Sequence, residues 1–321
     1  MQIDLSPWGL PGPWQAVALT TGINNWTRRI ECPAGSYILR VYKEGALPER
    51  IAYELAVLDA LQREPLSFAV PSPLPAVNGE RVVHLPGRGL ATLVPVIPGT
   101  HPTWTNLEQV GAAGQALGEL IAALGRIRVT KPDCVPSYGQ LERNHPRFPD
   151  PVAGVRLLGV DDRLIRMVED LTGIVPNLYR TLPTQVIHGD YVKVNLLAID
   201  HRITGILDFE YACEEVRPFD LASGLAACGN GRWGTAEAWD AMERFVRGYV
   251  TRQALTEAEI EAVPNLIRLR RAAIFIHMSG KYLDGQHPEE VFRYGLASAL
   301  EVERWLEANG PALVQRIHSW T

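Results

Sequence analysis

Cysteine is sparse and scattered in this 321-residue chain. Four occur, Cys32, Cys134, Cys213 and Cys228, and no two form a Cys-x-x-Cys pair. That spacing excludes a disulfide framework and a cysteine-built zinc site, and it leaves free thiols in a reducing compartment as the plain reading. The eight histidines show no His-Glu-x-x-His spacing, so the zinc-hydrolase motif is missing as well. No run of about 18 uninterrupted apolar residues exists, and no membrane span is expected. Residues 1–10 lack a basic start followed by an apolar core, so no secretory signal is expected and the protein reads as cytoplasmic. Positive charge is also in short supply. With 31 basic residues against 36 acidic ones the formal net charge is −5. A general nucleic-acid binder is ordinarily basic on one face, so nucleic acid is not an expected partner. Anionic small ligands stay compatible, because a local site can be positive on an acidic protein.

What is abundant is apolar surface. Apolar residues make up 46% of the chain, and the length corresponds to about two domains. The first third reads as strands plus one helix. Residues 28–32 and 37–42 are β-rich and joined by Pro33-Ala34-Gly35-Ser36, a hairpin signal. Ile51, Leu55, Leu58 and Leu61 recur at helical spacing over 48–63. Two further strands are expected at 81–85 and 90–94. Residues 94–99 (Val-Pro-Val-Ile-Pro-Gly) then break the pattern and mark a hinge. The remainder is mainly helical, beginning with a strong apolar stripe over 106–127. Residues 130–151 hold five prolines and read as an irregular excursion. Thr256 with Glu259 three residues later reads as a capping box. The expected organisation is therefore a β-rich lobe over 1–95 and a larger helical lobe over 100–321, with a ligand cleft between them.

One short β-rich block carries the chemistry. An apolar strand end delivers His188-Gly189-Asp190 into a loop, and Asn195 follows Asp190 by five residues. Two strands around Asp200-His201 then form a hairpin whose end presents Asp208. Asp190, Asn195 and Asp208 would converge at one end of a small sheet. Two carboxylates and an amide oxygen suit a hard cation such as Mg²⁺, which takes few protein ligands and shares phosphate oxygens with them. The competing reading makes Asp190 and Asn195 turn residues and Asp208 a strand cap.

The spacing matches the kinase arrangement, in which a catalytic-loop Asp precedes a metal-binding Asn by five residues and a second Asp opens a DFG-like motif. With His-Gly-Asp and Asp208-Phe209-Glu210, the block resembles the kinase-like small-molecule phosphotransferases, the aminoglycoside phosphotransferase, homoserine kinase and choline kinase group. Phe219-Asp220-Leu221-Ala222, the β-strand Tyr37 to Tyr42, the helix run Gly118 to Leu124, and Phe245-Val246-Arg247-Gly248-Tyr249 with the following Leu255 to Glu259 resemble further family segments. The resemblance implies an α+β, bilobal protein-kinase-like fold and an ATP- and Mg²⁺-dependent phosphotransferase acting on the hydroxyl of a small, amine-bearing metabolite. Asp190 would orient or accept the hydroxyl proton, and Asn195 and Asp208 would hold the metal. His188 would brace the loop. Asp220 either anchors that loop or caps the following helix, and Lys193 either touches the transferred phosphate or is solvated.

On the nucleotide side the usual strand Lys is replaced by Arg40, whose planar fork also grips phosphate. Its expected partner is Glu54, which falls on the apolar stripe of its helix and needs a cation if buried. The alternative is a Glu at the stripe's edge reaching water. Gly22 and Asn25 belong to a phosphate turn that holds a single glycine, and Val94 and Val96 would offer hinge backbone to adenine. For the acceptor site Glu210, Glu214 and Arg217 are the candidates, with Arg270 and Arg271 as further cations for a carboxylate. A homoserine-like acceptor is favoured by the 245–259 pattern. Choline or ethanolamine and aminoglycosides are alternatives, and an inactive nucleotide-binding scaffold is the reading from another class. Only about ten residues separate Asp-Phe-Glu from Asp220, which excludes an ordinary protein-kinase activation segment.

Overall fold

A computed structural model describes residues 3–18 and 25–321. The N-terminal part is an antiparallel sheet of β1 (Gln15–Ala18), β2 (Trp26–Cys32), β3 (Gly35–Val41), β4 (Val83–Leu85) and β5 (Gly89–Pro95), in spatial order β1-β2-β3-β5-β4. A helix, α1 (Pro48–Leu61), follows β3 with Pro48 in its first turn, where a missing N–H costs nothing. Strand alternation decides which side chains face the cleft. Leu39 and Val41 join Ile30, Leu93 and the N-terminal Ile3, Leu5 and Trp8 in a small outer core. Arg40 and Tyr42 therefore point the other way, and Tyr42 packs with Ile51, Leu55 and Leu58 of α1 in the main core.

The rest is helical apart from two ribbons. It comprises α2 (Leu107–Leu124), α3 (Pro151–Leu157) and α4 (Asp162–Thr181), then β6 (Thr184–Ile187), β7 (Leu196–Ile199), β8 (Arg202–Ile206) and β9 (Cys213–Val216), then α5 (Phe219–Gly229), α6 (Ala236–Val250), α7 (Glu257–Leu283) and α8 (Glu289–Trp320). β6 pairs with β9 and β7 with β8, both antiparallel. α2, α3, α4, α6 and α7 start on side-chain caps. Asn106 accepts from the Glu108 and Gln109 amides, and the capping box at Thr256 and Glu259 has both of its bonds.

β1, α3 and β9 are elements that the pattern reading did not anticipate. β9 is Cys-Glu-Glu-Val, too polar to read as a strand. It forms because Glu215 turns inward and accepts from the Tyr138 amide at 2.8 Å, while Val216 is fully buried. The sheet and helical parts share one apolar core, which runs from α1 through α2 to α8. Backbone bonds from Ala69 N to Thr204 O and from Thr100 N to Ala198 O, both 2.9 Å, also tie the connecting segments to the β7–β8 ribbon.

α2 and α6 pack at backbone contact. A Cβ on Gly114 would lie 2.0 Å from the Phe245 carbonyl oxygen, and one on Gly118 2.4 Å from that of Tyr249. Gly118 and the Phe245 to Tyr249 segment are thus two sides of one contact. The same helix steadies the loop after β6, where the buried Tyr191 hydroxyl donates to Ala113 O at 2.8 Å.

Candidate active site

β6 ends on fully buried Ile187, and the next three residues are held from several directions. The Asp220 carboxylate, itself fully buried, accepts from the amides of His188 (2.8 Å) and Gly189 (3.0 Å). Asp220 sits inside the first turn of α5, whose cap residue is Pro218. Of its two expected roles it therefore fills that of loop anchor. Burial pushes its carboxyl up to about 6, against the hydrogen bonds from the two amides. His188 contacts Leu207 O through Nε2 at 2.8 Å and accepts the Asp190 amide at Nδ1. A carbonyl only accepts and an amide only donates, so these partners select the neutral Nε2–H tautomer. Both ring nitrogens are occupied, which leaves His188 bracing the loop. Gly189 has φ +83°, and a Cβ there would lie 2.2 Å from Tyr211 O. Only glycine meets both conditions. Tyr138, from the proline-rich excursion, stacks on Phe219 and donates its hydroxyl to Gly189 O at 2.8 Å. No periodicity marked that residue.

Asp190 projects from this loop into the cleft. Its Oδ2 accepts from Asn195 Nδ2 at 3.0 Å, and its Oδ1 accepts from Arg270 Nη2 at 2.8 Å. Asn195 also donates to Asp190 O at 2.9 Å, which commits its amide nitrogen and leaves Oδ1 for a ligand. Asp208 follows β8 in the left-handed region, φ 63°, with its side chain 35% exposed. Burial pushes its carboxyl up to about 7; Arg40 opposes this, while Glu210, Glu54 and Asp190 add to it. A divalent cation would relieve that accumulation of negative charge. No cluster of three or more His, Cys, Asp or Glu suited to a metal occurs among the described residues. A hard cation that completes its shell with phosphate oxygens and water fits this site better than one needing a full protein cage.

Arg40 ties the cleft together. Nη1 donates to Glu54 Oε1 at 2.7 Å, and Nη2 donates to Glu210 Oε2 at 2.6 Å and Asp208 Oδ1 at 3.2 Å. Glu54 is 5% exposed, so it is a buried partner and not a residue at the edge reaching water. Burial disfavours the guanidinium charge, but the Glu54, Asp208 and Glu210 carboxylates outweigh it and hold Arg40 firmly protonated. Burial raises Glu54 against the pull of Arg40. Asn25 joins the group by donating to Glu210 Oε2 at 2.7 Å, whereas Gly22 lies outside the described residues. Just past β5 the Val96 amide donates to Ser36 O at 3.0 Å. It extends the sheet, so a bound base would have the Val96 carbonyl to use, and not its N–H.

The three acceptor candidates do not converge. Glu210 is held by Arg40 and Asn25, and its carbonyl oxygen accepts from Arg50. Glu214 lines a separate cavity with Lys131 and Tyr179. Arg217 donates from Nε to Glu259 Oε1 at 2.6 Å, so its charge serves the α7 capping box. The cavity beside the Asp190 loop, about 570 Å³, is lined instead by Lys193, Arg232, Arg270 and Arg271 with neutral neighbours such as Asn230 and Thr105, and no acid is among its lining residues. Arg232 is partly committed to the carbonyls of Cys228 and Trp104. Arg271 contacts Ser298 Oγ at 3.0 Å, and burial and the Arg270 charge lower it to about 10. Lys193 is exposed at the rim.

Comparison with known proteins agrees with this geometry. A profile of the Phosphotransferase enzyme family matches residues 16–264. A homoserine kinase of Zymomonas mobilis subsp. mobilis is 28% identical over 261 residues, covering 80% of this chain and 77% of that one. Among solved structures, an amicoumacin kinase in complex with AMP-PNP, Ca²⁺ and Ami superposes with a TM-score of 0.69 at 16% identity, covering 90% of this chain and 88% of that one. A microcompartment-associated aminopropanol kinase gives 0.68 at 21% identity, covering 98% and 97%. The chain has the kinase-like fold and belongs to the phosphotransferase enzyme family, as a small-molecule kinase that acts on a hydroxyl group.

Proposed function

We propose that this kinase moves the γ-phosphoryl group of ATP, as its Mg²⁺ complex, to the hydroxyl of a carboxylate-bearing, homoserine-like acceptor. The observation that carries this reading is the cavity beside Asp190, which presents four cationic side chains and no acid. A carboxylate placed there would meet the Arg271 guanidinium, which has no carboxylate of its own within ion-pair distance among the described residues. The acceptor's amine has neutral oxygens available on Asn230 and Thr105. Choline and aminoglycosides would bring positive charge to the same surface. The homoserine kinases among its relatives support the same acceptor class.

In this reading the acceptor oxygen bonds to the γ-phosphorus as the bond to the bridging oxygen breaks, ADP leaves, and the hydroxyl proton passes to Asp190. Such transfers need positioning and charge neutralisation more than covalent chemistry. Asn195 fixes Oδ2 of Asp190 and Arg270 fixes Oδ1, which keeps the carboxylate aimed. Asn195 Oδ1 and Asp208 would hold the divalent cation, which supplies neutralisation of phosphate charge. Arg40, kept in place by Glu54, would face the non-transferring phosphates.

Phosphate transfer from Mg·ATP to homoserine, choline, ethanolamine and an aminoglycoside tests the proposal. Homoserine is expected to be turned over well above the others, and Arg271→Met is expected to raise its KM about 10- to 100-fold, the worth of a charge-assisted bond, with the KM for ATP unchanged. Preferred turnover of a cationic acceptor overturns it.

A further inference from the structure

The cavity beside Asp190 offers more room and more positive charge than homoserine itself would use. Its volume, about 570 Å³, lies within the range of about 300–1,000 Å³ that encloses ligands of drug size. The nucleotide does not account for the space, because none of Arg40, Glu54, Asn195 and Asp208 lines it. A four-carbon hydroxy amino acid would fill a minor part.

The charge is the sharper mismatch. Homoserine carries an ammonium as well as a carboxylate. An ammonium brought among Lys193, Arg232, Arg270 and Arg271 meets no acid among the lining residues. Asp190, beside the cavity, has both oxygens engaged, Oδ1 by Arg270 at 2.8 Å and Oδ2 by Asn195 at 3.0 Å. In the proposed transfer it also takes the hydroxyl proton. Asp220 is fully buried with both oxygens on backbone amides, and Glu210 is held by Arg40 and Asn25. A neutral nitrogen therefore suits this wall better than a charged one. An amide N–H can donate to a side-chain oxygen such as that of Asn230 or Thr105 and brings no charge to be balanced.

A third observation points to a substituent on that nitrogen. Val194 and Tyr294, 53% and 64% exposed, are among the large hydrophobic side chains left at the surface. One comes from the loop between β6 and β7 and the other from α8, and both line this cavity. Buried Trp104 lines it too, and Arg232 pins the Trp104 carbonyl at 2.8 Å. Hydrophobic side chains exposed singly need no explanation, but two from separate elements on one cavity, beside a tryptophan, give a ligand apolar surface to cover.

We propose that the acceptor is an N-acylated hydroxy amino acid, with the carboxylate and hydroxyl of homoserine, a neutral amide in place of its ammonium, and an apolar acyl chain lying along Trp104, Val194 and Tyr294. The inference rests on this cavity being the acceptor site and names the class of molecule that the site takes. Arg271 would still hold the carboxylate and Asp190 the hydroxyl, while the acyl chain would run toward the rim.

The test compares kcat/KM for phosphate transfer from Mg·ATP to L-homoserine, 4-hydroxybutyrate, N-acetyl-L-homoserine and N-hexanoyl-L-homoserine. The N-acetyl acceptor is expected at least tenfold above homoserine. The N-hexanoyl acceptor is expected at least tenfold above the N-acetyl one, since each buried methylene is worth about fourfold. 4-Hydroxybutyrate, which keeps the carboxylate and hydroxyl without the nitrogen, is expected to match or exceed homoserine. Val194→Ser and Tyr294→Ala are each expected to lower the hexanoyl-to-acetyl ratio at least fivefold, and that ratio does not depend on how much of a variant is folded. Homoserine equal to or better than both acylated acceptors overturns the inference and leaves the carboxylate-bearing acceptor standing. A hexanoyl acceptor no better than the acetyl one, or a ratio unchanged in both variants, overturns the place given to the chain. Transfer to choline or an aminoglycoside with none to these four overturns the carboxylate-bearing acceptor and this inference together.

Discussion

Glu54→Gln separates what the Arg40 pair does for stability from what it does for activity. In the folded protein the Glu54 carboxylate is buried and receives Arg40 Nη1 at 2.7 Å. The amide keeps the volume and can still accept that bond, so no cavity opens. It loses the charge, whose desolvation offsets most of what a buried ion pair contributes. Because burial raises the Glu54 pKa in the folded state, its ionised form opposes folding above the ordinary carboxylate range and not below it. Thermal melting of the variant at neutral pH is therefore expected at or slightly above the parent's, with the difference vanishing as pH falls below about 4. Activity should move the other way. Arg40 Nη2 already reaches Glu210 at 2.6 Å and Asp208 at 3.2 Å. Released from the Glu54 charge, the guanidinium is drawn toward Asp208 and covers an oxygen needed for metal. Losing the aim of one charge-assisted bond is worth about 1.5–3 kcal/mol, or roughly 10- to 150-fold in kcat/KM for Mg·ATP at saturating acceptor. A melting temperature lowered by several degrees with kcat/KM for ATP unchanged would refute the reasoning, because the pair would then be a structural strut only.

Three further outcomes are expected. Asp190→Asn keeps the shape of the loop but removes the proton acceptor, so kcat should fall about 10²- to 10⁴-fold while Mg·AMP-PNP binding by calorimetry stays within a few-fold; retained turnover refutes the role given to Asp190. Gly189→Ala meets both a positive φ and the Tyr211 carbonyl oxygen 2.2 Å away, and should cost about 1–3 kcal/mol in urea unfolding, with kcat reduced; a variant equal to the parent in both shows that the loop is not held as described. Glu215 is buried with no cation in ion-pair contact among the described residues, and its carboxyl is raised to about 7 mainly by burial. Its contribution to stability is full below its unfolded pKa of about 4.5 and is lost as pH rises through about 7. The stability deficit of Glu215→Gln relative to the parent should thus shrink by roughly 3 kcal/mol between pH 4.5 and 7. A deficit constant with pH contradicts the assignment.

Much of the geometry was legible because its spacings are local. A loop of five residues from Asp190 to Asn195 and a short ribbon ending on Asp208 are contained within one segment; Asn195 bonds Asp190, and Leu207, next to Asp208, donates its amide to Asn195 O at 2.8 Å. Alternation along β3 sent Arg40 to the face opposite Leu39, and the stripe of α1 carried Glu54 to meet it. The capping box at Thr256 and Glu259 needed only two side chains one turn apart. The acceptor side was less legible. Glu210 and Arg217 looked available because their neighbours in sequence are the catalytic motifs. Arg40 and Glu259, which neutralise them, come from 170 and 42 residues away.

The sequence by itself therefore determined most of the elements, their faces and the order of the candidate catalytic groups, since periodicity and capping act over a turn or two of chain. Only the tertiary structure decided which charges are spent and which are left. With 31 basic and 36 acidic residues, the partner of each depends on which side chains the packing delivers within a few ångströms. That packing put Arg270 on Asp190 across 80 residues and Tyr138 on the Gly189 carbonyl across 51.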